Sequence, residues 1–382
     1  MQTAATTHHA GQGWRSPLPA ALDSPQTLVL AFGASRMPAD APALQDLIAA
    51  FPHSVLLGCS TAGEIAGDAV NDDSLSVAVT RFDHTRLMLA LADVAQAGQS
   101  GDAGAQQAQQ LRAGGSDLRA VFMLSDGLAV NGTPLVQALA SGLGDGVAIS
   151  GGLAGDGSAF ERTWVLAGGQ ARAGCVAAVG LYGDRLQVGS GCEGGWMDFG
   201  PERRITRSEG NVLYELDGKP ALDLYKAYLG ELAQGLPGSA LRFPLSIRRP
   251  DSDAPPLVRT ILAIDEARRS MTFAGDMPLG HAARLMRTTN DSLIDSAARA
   301  SADALRSASA QGDVLVVSVS CVGRRLVLGE RTEEEVESVL EAAPAGAGHV
   351  GFYSYGEIAP GTAGSASDLH NQTMTVTVFS ER

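Results

Sequence analysis

Basic residues are in short supply. Lys and Arg number 28 against 42 Asp and Glu, so the 382-residue chain carries a formal charge of −14. A duplex binder needs a basic stripe to displace counterions from phosphates. The densest basic cluster, Arg203, Arg204 and Arg207, is diluted by Glu202 and Glu209. That argues against nucleic acid as a partner and, by the same electrostatics, against an anionic membrane surface. No apolar run approaches the roughly 20 residues that a membrane helix requires. Met1 to Pro19 lacks both the basic and the apolar region of a signal peptide. These absences predict a cytoplasmic protein with a disordered tail over residues 1–22.

Other signatures are missing too. The four cysteines, Cys59, Cys175, Cys192 and Cys321, form no C-x-x-C pair, so free buried thiols in a reducing compartment are expected. No P-loop, H-E-x-x-H or G-x-S-x-G occurs, which removes the usual marks of phosphate-loop, zincin and hydrolase chemistry. Gly189 to Gly194 matches G-x-G-x-x-G, but the match opens no helix, because Phe199-Gly200-Pro201 follows. A dinucleotide fingerprint must open one.

What the chain has is glycine, 46 residues of it, and a recurring order of elements. Thr27 to Phe32 reads as a buried strand, followed by a helix capped at Asp40, a strand Ser54 to Leu57 and a third strand Ser74 to Arg81. Near the C-terminus a strand Val314 to Val319 precedes a helix with a Thr332/Glu335 capping box. The closing strand there runs from Thr373 to Phe379. Both copies contain G-x-x-[ST]-x-G-E-I, at Gly58 to Ile65 and at Gly351 to Ile358. A weaker echo lies between them and ends in Gly151-Gly152-Leu-Ala-Gly155-Asp156. The fold expected is α/β, with two related halves built from repeated strand–helix–strand units that form mixed sheets flanked by helices. Thr289 to Ser309 is expected as a long helix, and Pro250 to Pro256 as a surface loop.

Three strands thus end in glycine plus a carboxylate. Glycine lets a ligand or another backbone approach, and the acid after it either binds turn N–H groups or holds a ligand at the strand end. If the turns converge, Glu64, Asp156 and Glu357 are polar anchors, Ser60 and Thr61 hydrogen-bonders, and Tyr355 a wall. Gly63, Gly152, Gly155 and Gly356 give close approach. Arg324 is either a carboxylate clamp or a surface partner of Glu330. His370 and Asn371 follow the last turn, with His370 as a ligand anchor, an axial haem ligand or a bond to a neighbouring backbone. An enzyme using the same carboxylates as acid and base is the alternative.

These motifs resemble the FIST family, whose N-domain is matched by Gly58 to Ile65 and by Gly151-Gly152 with Gly155-Asp156-Gly157. Its C-domain is matched by Gly218 to Leu222 with Tyr225, Ser320-Cys321 with Arg324-Arg325, Gly351 to Ile358, and Leu369-His370-Asn371. The resemblance implies an N-domain over residues 23–205 and a C-domain over 206–382. It implies a non-catalytic sensor of a small molecule such as an amino acid derivative. For stand-alone bacterial members it implies haem-borne nitric oxide sensing and control of a histidine kinase or cyclic-di-GMP enzyme.

Overall fold

The computed structural model describes residues 1–250, 256–308, 312–360 and 366–382. Three six- or seven-stranded mixed sheets share one plan, and a fourth, eight-stranded sheet stands apart from it. Each unit of the shared plan has an edge strand, a central strand, a strand parallel to it, a hairpin and a closing strand. In the first unit these are Gln2–His9, Thr27–Ala34, Val55–Thr61, Glu64–Ala66 with Ala69–Asn71, and Ser74–Arg81. In the second they are Arg86–Asp93, Leu118–Ser125, Ala148–Leu153, Val165–Ala167 with Gln170–Arg172, and Cys175–Tyr182. In the third they are Leu186–Glu193, Leu315–Cys321, Gly348–Ser354, Gly356–Pro360 with Ser367–His370, and Met374–Glu381. The echo in the middle of the sequence is therefore a full unit, and the related halves resolve into three.

The hairpins do not stay at home. The first unit's hairpin pairs with the third unit's Gly348–Ser354, the third unit's with Ala148–Leu153, and the second unit's with Val55–Thr61. Each sheet thus takes its outermost hairpin from another unit, in a closed cycle of three.

Both faces of the central strands are apolar, as a strand covered on two sides requires. Leu28, Leu30 and Phe32 point to the shared centre, while Val29 and Ala31 meet Leu44 and Leu47 of helix Pro42–Ala50. At the centre Phe32 stacks on Phe352 with centroids 4.7 Å apart, and Phe122 meets Phe379 edge-on at 6.3 Å. The parallel strand of every unit carries a glycine at the same register position for a steric reason. A Cβ at Gly58, Gly151 or Gly351 lies 2.1, 1.8 or 2.0 Å from the carbonyl oxygen of Ala31, Met123 or Ser318. Those carbonyls belong to the glycines' partners in register on the central strands.

Residues 2–9, expected as part of a disordered tail, form a strand paired along its whole length with Ser74–Arg81. Few apolar residues mark it, because it is held by ladder bonds to an edge that otherwise lacks a partner. The boundary expected at residue 205 falls inside strand Met197–Glu209. That strand belongs to an insert in the third unit, spanning residues 197–287. The insert is an antiparallel sheet with helix Ala221–Leu229 packed on a core that includes Leu213, Tyr225, Phe273 and Leu285.

Helix ends also differ from expectation. Helix Pro42–Ala50 is capped at Ala41 and not Asp40, since proline fits the first turn. Thr332 lies inside helix Thr332–Glu341, and Glu335 turns inward instead of capping. The long helix is Asn290–Ala308. Residues 251–255 of the proline-rich loop, and Ser309, lie outside the described residues. Among the described residues no helix is long and apolar enough to cross a membrane.

Candidate functional site

The two acids of the repeated motif occupy the same place in different sheets. Glu64 accepts bonds from the Thr61 hydroxyl and, at 3.0 and 2.8 Å, from the Ser74 N–H and hydroxyl. Glu357 accepts from the Ser354 hydroxyl at 2.7 Å and from the Thr373 N–H and hydroxyl at 3.1 and 2.9 Å. Glu64 is 1% exposed and Glu357 0%. Burial pushes each carboxyl up to about 7, against the lowering effect of those donors. Each acid ties an exchanged hairpin to the start of its own unit's closing strand.

Strand register identifies the corresponding positions of the second unit, and Asp156 is not among them. Ala154 stands where Thr61 and Ser354 do, Val165 where the glutamates do, and Cys175 where Ser74 and Thr373 do. All three polar side chains are lost together. The backbone is kept: Asp73, Gln372 and Gly174, just before the closing strands, have φ of 55°, 62° and 61°. The three acids therefore do not converge on one pocket.

Asp156 organises a loop instead. Its carboxylate accepts the N–H groups of Phe160, Glu161 and Arg162 at 2.7–2.8 Å and the Tyr355 hydroxyl. Burial raises its pKa, but the Tyr355 and backbone donors outweigh that and hold it below the usual carboxylate range. Ser60 is buried and accepts the Trp164 N–H at 3.0 Å, and Gly155 donates to the Ser60 carbonyl at 3.0 Å. A Cβ at Gly63 lies 2.5 Å from Arg325 Nη1, and one at Gly152 lies 2.7 Å from Val319 Cγ1. These contacts are between parts of the protein.

Arg324 is neither a ligand clamp nor a surface partner of Glu330. It is 0% exposed, donates to Glu335 at 2.7 Å through Nε, and spends its other nitrogens on the carbonyls of Gly194 and Leu293. Glu335 also takes Ser320 and Tyr353. A buried guanidinium with this many acceptors is a packing bolt. Asn371 is fully buried, and neither of its amide atoms has a partner among the described residues.

Tyr355 does line a cavity. A space of about 210 Å³ lies between the second unit, the Asp156 loop and the insert. Its walls include Leu128, Leu153, Phe160 and Tyr355 on one side and Asn211 and Phe273 of the insert on the other. Phe160 stacks on Tyr355 at 4.7 Å and 16°. Gly127 admits the Tyr355 ring, because a Cβ there lies 1.9 Å from the Ala154 carbonyl and 3.0 Å from that ring. The insert is moored nearby by Arg259 on the Leu369 carbonyl (3.0 Å) and by Asn131 on Asp276 (3.0 Å). A related hollow of about 450 Å³ occurs where the first unit's hairpin meets the third unit, with Ala62 and Val322 at the places of Tyr355 and Gly127. Gly157 and Ser158 of the Asp156 loop line it, so one loop walls both spaces. Leu128, Phe160, Asn211 and Phe273 carry no short motif, and sequence reasoning missed them.

Of the roles expected for His370, the structure shows the bond to a neighbouring backbone. Its Nε2 bonds to the Ala359 carbonyl at 3.0 Å, which fixes that nitrogen as the donor. The ring is 7% exposed, and burial lowers its pKa. It lies outside the lining of the 210 Å³ cavity, which is itself too small for a porphyrin. His370 sits on Ser367–His370, not on the closing strand, paired opposite Glu357.

Comparison with known proteins adds a family. Residues 27–219 match the FIST N domain and residues 221–360 the FIST C domain. An uncharacterized protein of Methanocaldococcus jannaschii is 26% identical over 206 residues, covering 51% of this chain and 39% of that protein. This chain therefore spans well under two thirds of that relative. A chorismatase crystal structure aligns over 99% of this chain and 98% of its own at 12% identity, with a TM-score of 0.35. At that score the likeness carries no argument. FIST domains are associated with sensory signalling. With both domains matched in order over most of its length, the chain belongs to the FIST family.

Proposed function

We propose that this protein is a ligand-responsive signalling module, with its small-molecule site in the cavity between the second unit and the insert. The observation that carries this reading is the composition of the wall. The second unit with its Asp156 loop, Tyr355 of the third unit and the insert meet there, so an occupant contacts all three at once and favours one arrangement of insert and body over others. A partner protein reads that arrangement, a signalling enzyme of the histidine kinase or cyclic-di-GMP class that the family resemblance implies. Haem-borne nitric oxide sensing draws no support from His370. Of the three carboxylates that the enzyme alternative would use, Glu64 and Glu357 are sealed from solvent and Asp156 is engaged by the N–H groups of its own loop and by Tyr355.

The test is a thermal-shift screen of uncharged and charged metabolites on the full chain, repeated on Leu128→Trp. Leu128 is 41% exposed at the cavity mouth, so the indole fills space without disturbing a core. Compounds that raise the melting temperature of the wild type and not of Leu128→Trp support the site. Compounds that stabilise both equally place the ligand elsewhere and overturn it.

A further inference from the structure

The cavity's chemistry narrows what it accepts. Resting on the site assigned above, we infer that the ligand is an uncharged, flat ring carrying one N–H or O–H donor, and that free amino acids are excluded. No residue lining the cavity is Asp, Glu, Lys, Arg or His. A zwitterion brings two charges that each need a counter-charge when removed from water, and the wall offers neither.

The polar groups of the lining are almost all spoken for. The Tyr355 hydroxyl is committed to Asp156 and to the Gly157 carbonyl. Asn131 donates through Nδ2 to Asp276 and accepts the Thr133 N–H through Oδ1. Asn211 donates through Nδ2 to the Phe273 carbonyl at 2.7 Å, which fixes the orientation of its amide. Among the described residues no donor reaches Asn211 Oδ1. The free side-chain polar atom is therefore an acceptor, and it selects a donor on the ligand.

The groups behind the wall point the same way. Asp126 receives the N–H groups of Leu128, Ala129 and Gly174. Asp156 and Asp276 lie behind Tyr355 and Asn131. Three carboxylates against one guanidinium, Arg259, make the surroundings hostile to a ligand carboxylate. The stacked Phe160–Tyr355 pair and Phe273 supply flat apolar faces for a ring.

Indole, 1-methylindole and tryptophan separate the terms, since they share a ring and differ in donor and charge. Isothermal titration of the full chain is expected to show saturable binding of indole, at least tenfold weaker binding of 1-methylindole, and none of tryptophan. In Asn211→Leu, and in Asn211→Ser as a smaller change, the preference for indole over 1-methylindole is expected to vanish while both still bind. Tryptophan binding more tightly than indole, with the binding lost in Leu128→Trp, overturns the charge argument and leaves the site standing. Equal binding of indole and 1-methylindole to the wild type overturns the role of Asn211. Ring binding that persists unchanged in Leu128→Trp overturns the site itself.

Discussion

Glu64 and Glu357 show how a repeated motif can look like a binding site and be a clasp. Each carboxylate is buried, receives donors from its own turn and from the start of a closing strand, and is held up to about 7. The consequence for stability has a definite sign. A carboxyl whose folded pKa lies above its unfolded value keeps its proton in the folded state while the unfolded chain has lost it. Stability is therefore fully present below about pH 4.5 and is lost as pH rises to about 7, on the order of 3 kcal/mol for each group. His349 runs the other way: burial lowers it to about 4, so its contribution grows as pH rises from there to about 6.5. The difference between wild type and the double variant Glu64→Gln/Glu357→Gln is thus the clean readout. Urea midpoints at pH 5, 6, 7 and 8 are expected to show the wild type losing stability relative to the variant across that range. A constant difference sinks the assignment.

At the scale of elements, the loop from Asp156 to Arg162 is held by few contacts of high quality. Phe160 has φ of 53°, a conformation that costs a bulky residue about 1–3 kcal/mol. It persists because Asp156 accepts its N–H and its ring lies flat on Tyr355. Asp156→Ala is expected to remove about 2 kcal/mol of local stability. Hydrogen exchange at Phe160, Glu161 and Arg162 then speeds up by more than tenfold, while the strands of the shared core stay protected. Unchanged exchange in the loop contradicts that account. This loop also marks where the sequence stops being legible. Strand Ser74–Arg81 was readable to its ends, and the flanking glycines of the parallel strands were visible as motif, because both follow from local pattern. The exchange of hairpins is written in no local pattern, since register with a distant strand decides it. Asp156 sat one residue short of the true repeat and looked like a third acid; only the pairing of Val165 with Cys59 shows that valine holds that place. Arg324 likewise reads as a clamp or a partner of Glu330, because in the sequence its true partner, Glu335, fits a capping box. The cavity residues come from six separated stretches that only packing brings together.

At the scale of the whole molecule, the cycle of exchanged hairpins means that no unit is complete by itself. The family division near residue 220 separates two domains in sequence, but the second unit's sheet needs Gly356–Pro360 from beyond it, and the first unit's hairpin needs Gly348–Ser354. A fragment ending at residue 219 keeps Phe32 and Phe122 and loses their partners Phe352 and Phe379. It is expected to lack a cooperative thermal transition and to expose apolar surface to a dye such as ANS, whereas the full chain melts in one step. A sharp transition in the fragment contradicts the interdependence of the units.

Biosynthesis inherits that interdependence. Glu64 leaves the ribosome nearly 290 residues before Phe352, its partner in register. Met374–Glu381, the strand that closes the third sheet against Leu315–Cys321, emerges later still. Until Gly348–Ser354 emerges the first hairpin has an unpaired edge, and until Met374–Glu381 follows the common core lacks Phe379. The nascent chain carries that open edge over nearly 290 residues of synthesis, and a stop codon just upstream of Met374 yields a product with every sheet begun and the third left unsealed.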